Sequence, residues 1–236
     1  MKRRIESIRA EYFQIPLKNP FILSIRSALH ANVVRWHLRM DDGREFPGES
    51  VPVQYVTGET PESVLAAVPK IDALLHGALI EDLTHLIREI ARVLPKDIAA
   101  RAGVEIALYN AFSDEVHIPL EKLLGAANAT LETDLTIARI PNALVVAREA
   151  WREGFRTFKV KVGGGPMEED MDRILSIAQE FPEAIFRLDA NQSLTPRTTV
   201  ELAESLLRND ITLELIEQPV PKEDLAALDE LSLIHI

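Results

Sequence analysis

The sequence predicts an α+β lobe followed by the first half of a (β/α) barrel of the TIM type, and three observations carry that reading. Apolar runs at 157–162, 184–188 and 213–216 recur about every 28 residues with helical patterns between them, a rhythm that requires parallel pairing through crossover helices. Charges sit inside or at the end of these runs: Lys159 and Lys161 in the first, Asp189 after the second, Glu217 after the third. A buried charge is costly unless it has a partner or a task. Before Thr133 the pattern is different, with strand-like runs giving way to three helical ones.

Taken in order, residues 5–14, 33–40 and 44–51 read as strands. The last two are joined through Asp41-Asp42-Gly43, a hairpin signal, so a small antiparallel meander is expected. Helices are expected over 61–75 with Thr60 as N-cap, over 81–93 stopped by Pro95, and over 98–112, where small and apolar residues fall at helical spacing. Residues 1–130 form this lobe. Residues 131–230 then alternate: strand 134–137, helix 142–153, strand 157–162, helix 168–180, strand 184–188, helix 196–208, strand 213–216 and an amphipathic helix over 223–231.

A closed eight-stranded barrel takes roughly 250 residues, and only four barrel strands fit after Thr133. A half barrel leaves an unpaired strand edge, so the chain is expected to be a fragment of a longer parent. The last six residues, Leu231-Ser-Leu-Ile-His-Ile236, back-translate to CTG TCT CTT ATA CAC ATC, which matches a transposase adapter used in sequencing libraries. Residues 231–236 are therefore expected to be an adapter-derived tail, the alternative being a natural apolar terminus.

Composition narrows the function classes. The 236 residues carry a net charge of −11 and no cysteine, which excludes thiol catalysis, a disulfide framework and cysteine-ligated zinc. The negative charge disfavours a broad nucleic-acid or anionic-membrane surface. No apolar stretch approaches the roughly 20 residues of a spanning helix, and Met1-Lys-Arg-Arg-Ile-Glu6 lacks a secretory apolar core. A soluble, cytoplasmic protein with a small-molecule partner is expected, and homo-oligomerisation of the parent is compatible with the sequence.

The charged residues then suggest chemistry. Asp189 and Glu217 at neighbouring strand ends suit a hard divalent cation such as Mg²⁺; the alternative is that they cap strands or pair with the lysines. Lys159 and Lys161, two apart, share one strand face, with Phe158, Val160 and Val162 on the other. Two neighbouring ammonium groups are expected to depress the pKa of at least one and to make a neutral lysine base accessible; the alternative is an exposed face of an edge strand. Gly163-Gly-Gly-Pro166 lacks the Lys-Ser/Thr of a P-loop and the spacing of a dinucleotide fingerprint, and reads as a flexible βα loop. The histidines show no pair at metal-ligand spacing within one helix.

Together, the Lys159-x-Lys161 strand, Asp189-Ala-Asn-Gln192 and Glu217-Gln-Pro219 resemble the enolase superfamily, in its muconate-lactonizing-enzyme subgroup. The resemblance spans residues 1 to about 230. The N-terminal lobe is similar to the family's capping domain, including Tyr55-Val-Thr-Gly-Glu59 and Ala102-Gly-Val-Glu-Ile-Ala-Leu-Tyr109. It departs from it at Phe46-Pro-Gly-Glu49 and at Asn110, where the family has Gly-x-Gly-Glu and Asp. Within the subgroup the chain resembles dipeptide epimerases of the L-Ala-D/L-Glu type, through Leu131-Glu-Thr-Asp-Leu-Thr-Ile137 and Ser24-Ile-Arg26.

The resemblance implies Mg²⁺ held by Asp189, Glu217 and a third carboxylate on a later strand, stabilising an enediolate as the α-proton leaves. It implies Lys161 as base, Lys159 as its tuning charge, Asn191 supporting the metal side, Thr136 near the substrate, and Arg26 in a lid facing the glutamyl carboxylate; the alternative for Arg26 is a solvated loop charge. The substrate would be a carboxylate, most simply a dipeptide. Epimerisation also needs an opposite base, a lysine on a later strand, so the 236-residue chain is expected to be inactive alone. Two sister reactions, muconate cycloisomerisation and o-succinylbenzoate synthesis, and a non-catalytic binding role stay open.

Overall fold

The computed structural model describes residues 3–22, 27–126 and 130–232. The chain folds as two compact units, Met1–Lys18 with Leu29–Ala129, and Asn19–Ala28 with Thr130–Ile236.

β1 (Ile5–Ile22), β2 (Ser27–Met40) and β3 (Glu45–Ser50) form a three-stranded sheet in that order, with β1 up to Lys18, β2 from Leu29 and all of β3 in the first unit. The first two strands run well beyond the expected 5–14 and 33–40. The β2–β3 pair is antiparallel, with Trp36 opposite Gly48 and Val34 opposite Ser50. Its turn closes as expected: Gly43 sits at φ 84° and donates to the Met40 carbonyl at 2.9 Å.

Helices α1 (Gln54–Thr57), α2 (Pro61–Ala66), α3 (Val68–Leu75), α4 (Leu83–Val93), α5 (Ile98–Val116) and α6 (Leu120–Leu123) follow. Thr60 caps α2 through a reciprocal box with Ser63. The single helix expected over 61–75 is instead two. Pro69 lies at the start of α3, and without an N–H it cannot bond the preceding turn, so the chain breaks at Ala67.

Helix α5 lies against β3. A methyl on Gly48 would fall 2.0 Å from the Gly103 carbonyl, and one on Gly103 2.3 Å from Ser50 Oγ and 2.4 Å from the Trp36 ring. The two glycines let strand and helix backbones meet. Polar groups trapped there are satisfied: Trp36 Nε1 donates to Ser50 Oγ at 2.9 Å, and Ser50 Oγ donates to the Ala99 carbonyl at 2.6 Å. Buried Glu59 accepts from the N–H groups of Ala99 and Ala100 at 2.6 and 3.0 Å, covering the open amides of the first turn of α5. Asn110 donates to the Pro47 carbonyl at 2.8 Å, which an ionised aspartate could not do.

The second unit is a sheet of four parallel strands, β4 (Leu135–Ile137), β5 (Thr157–Lys161), β6 (Ile185–Asp189) and β7 (Thr212–Glu217), in chain order. The crossovers are α7 (Ala143–Arg152), α8 (Met167–Glu180) and α9 (Pro196–Arg208), and α10 (Leu225–Ser232) follows β7. This is the alternation of half a (β/α) barrel. Its apolar core is the outer face of the sheet: Ile137, Phe158, Val160, Phe186 and Leu188 pack with Ala147, Ile174, Ile177, Leu202 and Leu206 of the helices. The period of two places the charged residues on the other face. No helix among the described residues is long and apolar enough to cross a membrane.

Candidate active site at the ends of the parallel strands

Parallel pairing sets Lys161 opposite Asp189 and Asp189 opposite Glu217, a row across the C-terminal ends of β5, β6 and β7. Thr136 of β4 stands opposite Lys159, on the same sheet face. The structure thus brings together Lys159, Lys161, Asp189, Asn191 and Glu217, with Thr136 beside them. Arg26 lies outside the described residues.

The charges are closely paired. Lys161 Nζ donates to Asp189 Oδ2 at 2.5 Å and to Asn191 Oδ1 at 3.1 Å. The backbone N–H of Asn191 donates to the other Asp189 oxygen at 3.0 Å. Lys159 Nζ lies 2.5 Å from Glu217 Oε2 and 3.3 Å from Asp189 Oδ2. Asp189 is 2% exposed and Lys161 8%. The ion-pair alternative for these four residues is therefore realised, without displacing the row that a metal site would use.

One expectation is corrected. The Asp189 carboxylate meets both ammonium groups and Glu217 pairs with Lys159, so mutual repulsion does not lower the pKa of Lys159. Burial works against its charge, but Glu217 and Asp189 outweigh burial and raise its pKa. Burial likewise opposes the charge of Asp189, yet Lys161, the Asn191 N–H and Lys159 hold it below the usual carboxylate range.

The two sequence motifs are knit by backbone. Ala190 donates to the Glu217 carbonyl at 3.1 Å, Gln192 to Gln218 at 2.7 Å and Leu194 to Pro219 at 2.8 Å. Asn191, Gln192 and Gln218 all take positive φ, at 45°, 69° and 44°. Such strain costs on the order of 1–3 kcal/mol per residue and clusters at functional sites.

Asp189 and Glu217 fit Mg²⁺ in kind, as hard oxygen donors on adjacent strands. In number they are two: no group of three or more His, Cys, Asp or Glu able to hold a metal occurs among the described residues.

Residues 7–125 match the mandelate racemase / muconate lactonizing enzyme N-terminal domain, and residues 143–236 match the enolase C-terminal domain-like family. The chain belongs to the mandelate racemase / muconate lactonizing enzyme family. It is 32% identical over 234 residues to an L-Ala-D/L-Glu epimerase of Bacillus subtilis, a match covering 97% of this chain and 63% of that protein. It is 35% identical over 219 residues to an L-Lys-D/L-Arg epimerase of Methylococcus capsulatus, covering 91% of this chain and 60% of the relative.

Among solved structures, a substrate-liganded complex of the Bacillus subtilis L-Ala-D/L-Glu epimerase superposes with a TM-score of 0.91 at 30% identity, over 97% of this chain and 65% of that one. A dipeptide epimerase from Enterococcus faecalis complexed with Mg and L-Leu-L-Tyr gives 0.89 at 28% identity, over 98% and 65%. The chain thus spans less than two thirds of the length of each of these relatives.

Two charged groups near the row were not singled out in the sequence. Arg187, opposite Lys159 on β6, pairs through Nη1 with Asp134 and through Nε with Glu214, each at 2.7 Å. The signal was present: Arg187 precedes Asp189 by two in a strand, so it shares its face. The second group, around Asp170, gave no such signal, because Glu168-Glu169-Asp170 reads as an ordinary acidic first turn of a helix.

Proposed function

We propose that the whole protein carrying these residues removes the α-proton of a carboxylate substrate and returns a proton on the opposite face, epimerising a dipeptide of the L-Ala-D/L-Glu type. The observation that carries this reading is the in-register row of Lys161, Asp189 and Glu217, in a chain whose relatives are named for dipeptide epimerisation. Asp189 and Glu217 would hold Mg²⁺, which supplies positive charge against the negative charge that builds on the carboxylate as the proton leaves.

Lys161 is the base on one face: it leaves its contact with Asp189, and its neutral amine accepts the α-proton. Lys159, which pairs with Glu217 and Asp189 on the same sheet face, would hold positive charge beside the reacting carboxylate. Asn191 steadies both neighbours, through Oδ1 to Lys161 and its N–H to Asp189. Thr136 is assigned to the substrate side of the first strand, and Arg26 to a side-chain carboxylate of the substrate. Inversion also needs a third ligand and a base on the opposite face, so the 236 residues alone are expected to be inactive. The reaction is assigned to the cytoplasm.

The test is substrate profiling of the whole protein with Mg²⁺, read by chiral chromatography. Conversion of L-Ala-L-Glu to L-Ala-D-Glu supports the reading. Lactonisation of muconate, or formation of o-succinylbenzoate, without dipeptide inversion would replace it with a sister reaction. Dipeptide binding without any inversion would leave a binding protein.

A further inference from the structure

The buried carboxylate of Asp170, on α8, belongs to none of the steps above. It is 3% exposed. Its Oδ2 accepts from the Gly163 N–H at 2.6 Å, while Oδ1 pairs with Arg173 and lies 3.4 Å from Arg139 Nε. Both arginines reach the same stretch of backbone. Arg173 Nη2 donates to the Lys161 carbonyl at 2.9 Å, and Arg139 Nη1 donates to the Gly163 carbonyl at 2.8 Å. The Val162 N–H donates to the Asp189 carbonyl at 3.0 Å. The backbone around Val162 is thus tied at four points, three of them by charged side chains.

Adhesion between helix and sheet does not require this. Burying an ion cluster is expensive, and apolar residues of similar volume hold such a contact as well or better. The enclosed Nε of Arg173 has no hydrogen-bond partner among the described residues, a further cost. What the charges add is direction, because each fixes one carbonyl or amide of the segment that carries Lys161. Gly163 suits this tight junction: at φ 79° a side chain is strained, and a Cβ there would fall 2.0 Å from Ser193 Oγ.

We propose that Asp170, acting through Arg139 and Arg173, is the positioning residue that aims Lys161 between Asp189 and Asn191. Its catalytic meaning rests on the reading of Lys161 as base, since misplacing a reacting group by about 1 Å costs on the order of 100-fold. The geometric claim can be tested without turnover.

The experiment is competitive labelling of the lysine amines in the folded whole protein with an amine-reactive anhydride, resolved site by site from mass-spectrometric fragment ions. Asp170→Asn keeps the size of the side chain and an acceptor for Gly163 while removing the charge that gathers the arginines. The expected result is Lys161 labelling about tenfold faster than in the unsubstituted protein, with Lys159 within twofold. Unchanged Lys161 labelling overturns the proposal. So does a joint rise of Lys159 and Lys161, which would mark Asp170 as general structural glue.

Should D170N not fold, Arg139→Gln removes only the tie to the Gly163 carbonyl and the pairing with α8. It carries the same prediction at about threefold, with the same two overturning results. Failure of the labelling pattern contradicts the positioning role, whereas absence of epimerisation by the whole protein contradicts the functional reading.

Discussion

On the outer face of the four-stranded parallel sheet, Ile137, Phe158, Val160, Phe186 and Leu188 are withdrawn from solvent among the helices. One residue away along the same strands, Lys159, Lys161, Arg187 and Asp189 turn to the inner face and pair with one another and with Glu217, Asp134 and Glu214. The difference teaches how the work is divided: the outer face supplies the hydrophobic stabilisation that tolerates a charged, costly inner face. Substitutions on the two faces should therefore fail in different ways.

The largest effect is expected from Lys161→Ala. It should lower α-proton removal by the whole protein by about 10³-fold, within the range for a lost general base, while Lys159 keeps Asp189 paired and the melting temperature changes little. Phe158→Ala should do the reverse in kind, costing about 3–5 kcal/mol in a denaturant titration through the cavity left under α7 and α8. In the N-terminal lobe, Gly103→Ala should cost about 1–3 kcal/mol by overpacking Ser50 and Trp36.

A pH series sharpens the contrast at Asp189. Its pKa is lowered in the folded chain, so its ion pairs stabilise fully above the ordinary carboxylate value of about 4 and are lost as pH falls through the folded value. The stability advantage of the unsubstituted protein over Asp189→Asn should be flat between about pH 5 and 7 and shrink in stronger acid. Smallest of all, Arg148→Gln removes a surface pair with Glu180 and should leave chemical denaturation unchanged within error.

Much of the parallel sheet was legible because strand-end charges interrupted apolar runs, and the observed strands differ from the expected spans by one residue, at one end of β5 and at both ends of β6 and β7. The alternation within 157–162 was enough to place both lysines on one face. The direction of the pKa shift at Lys159 was not legible, because it depends on Glu217 reaching across from a strand more than 50 residues away to a distance of 2.5 Å. The break at Ala67 could have been read from Pro69, but the hydrophobic period of the flanking residues continued through it. Asp170 stayed hidden for another reason: a helix's first acidic turn looks the same whether it faces water or grips a neighbouring loop. Its burial and its two arginines are tertiary facts.

The central claim is that Lys161, Asp189 and Glu217 form a Mg²⁺-dependent proton-abstracting site. Its most direct test follows the α-proton NMR signal of the glutamyl residue when the whole protein is incubated with L-Ala-L-Glu and L-Ala-D-Glu in D₂O, with and without Mg²⁺. The account predicts loss of that signal only when Mg²⁺ is present, and Lys161→Ala abolishing exchange from one epimer. Exchange that persists without Mg²⁺, or that is untouched by Lys161→Ala on both epimers, would contradict it.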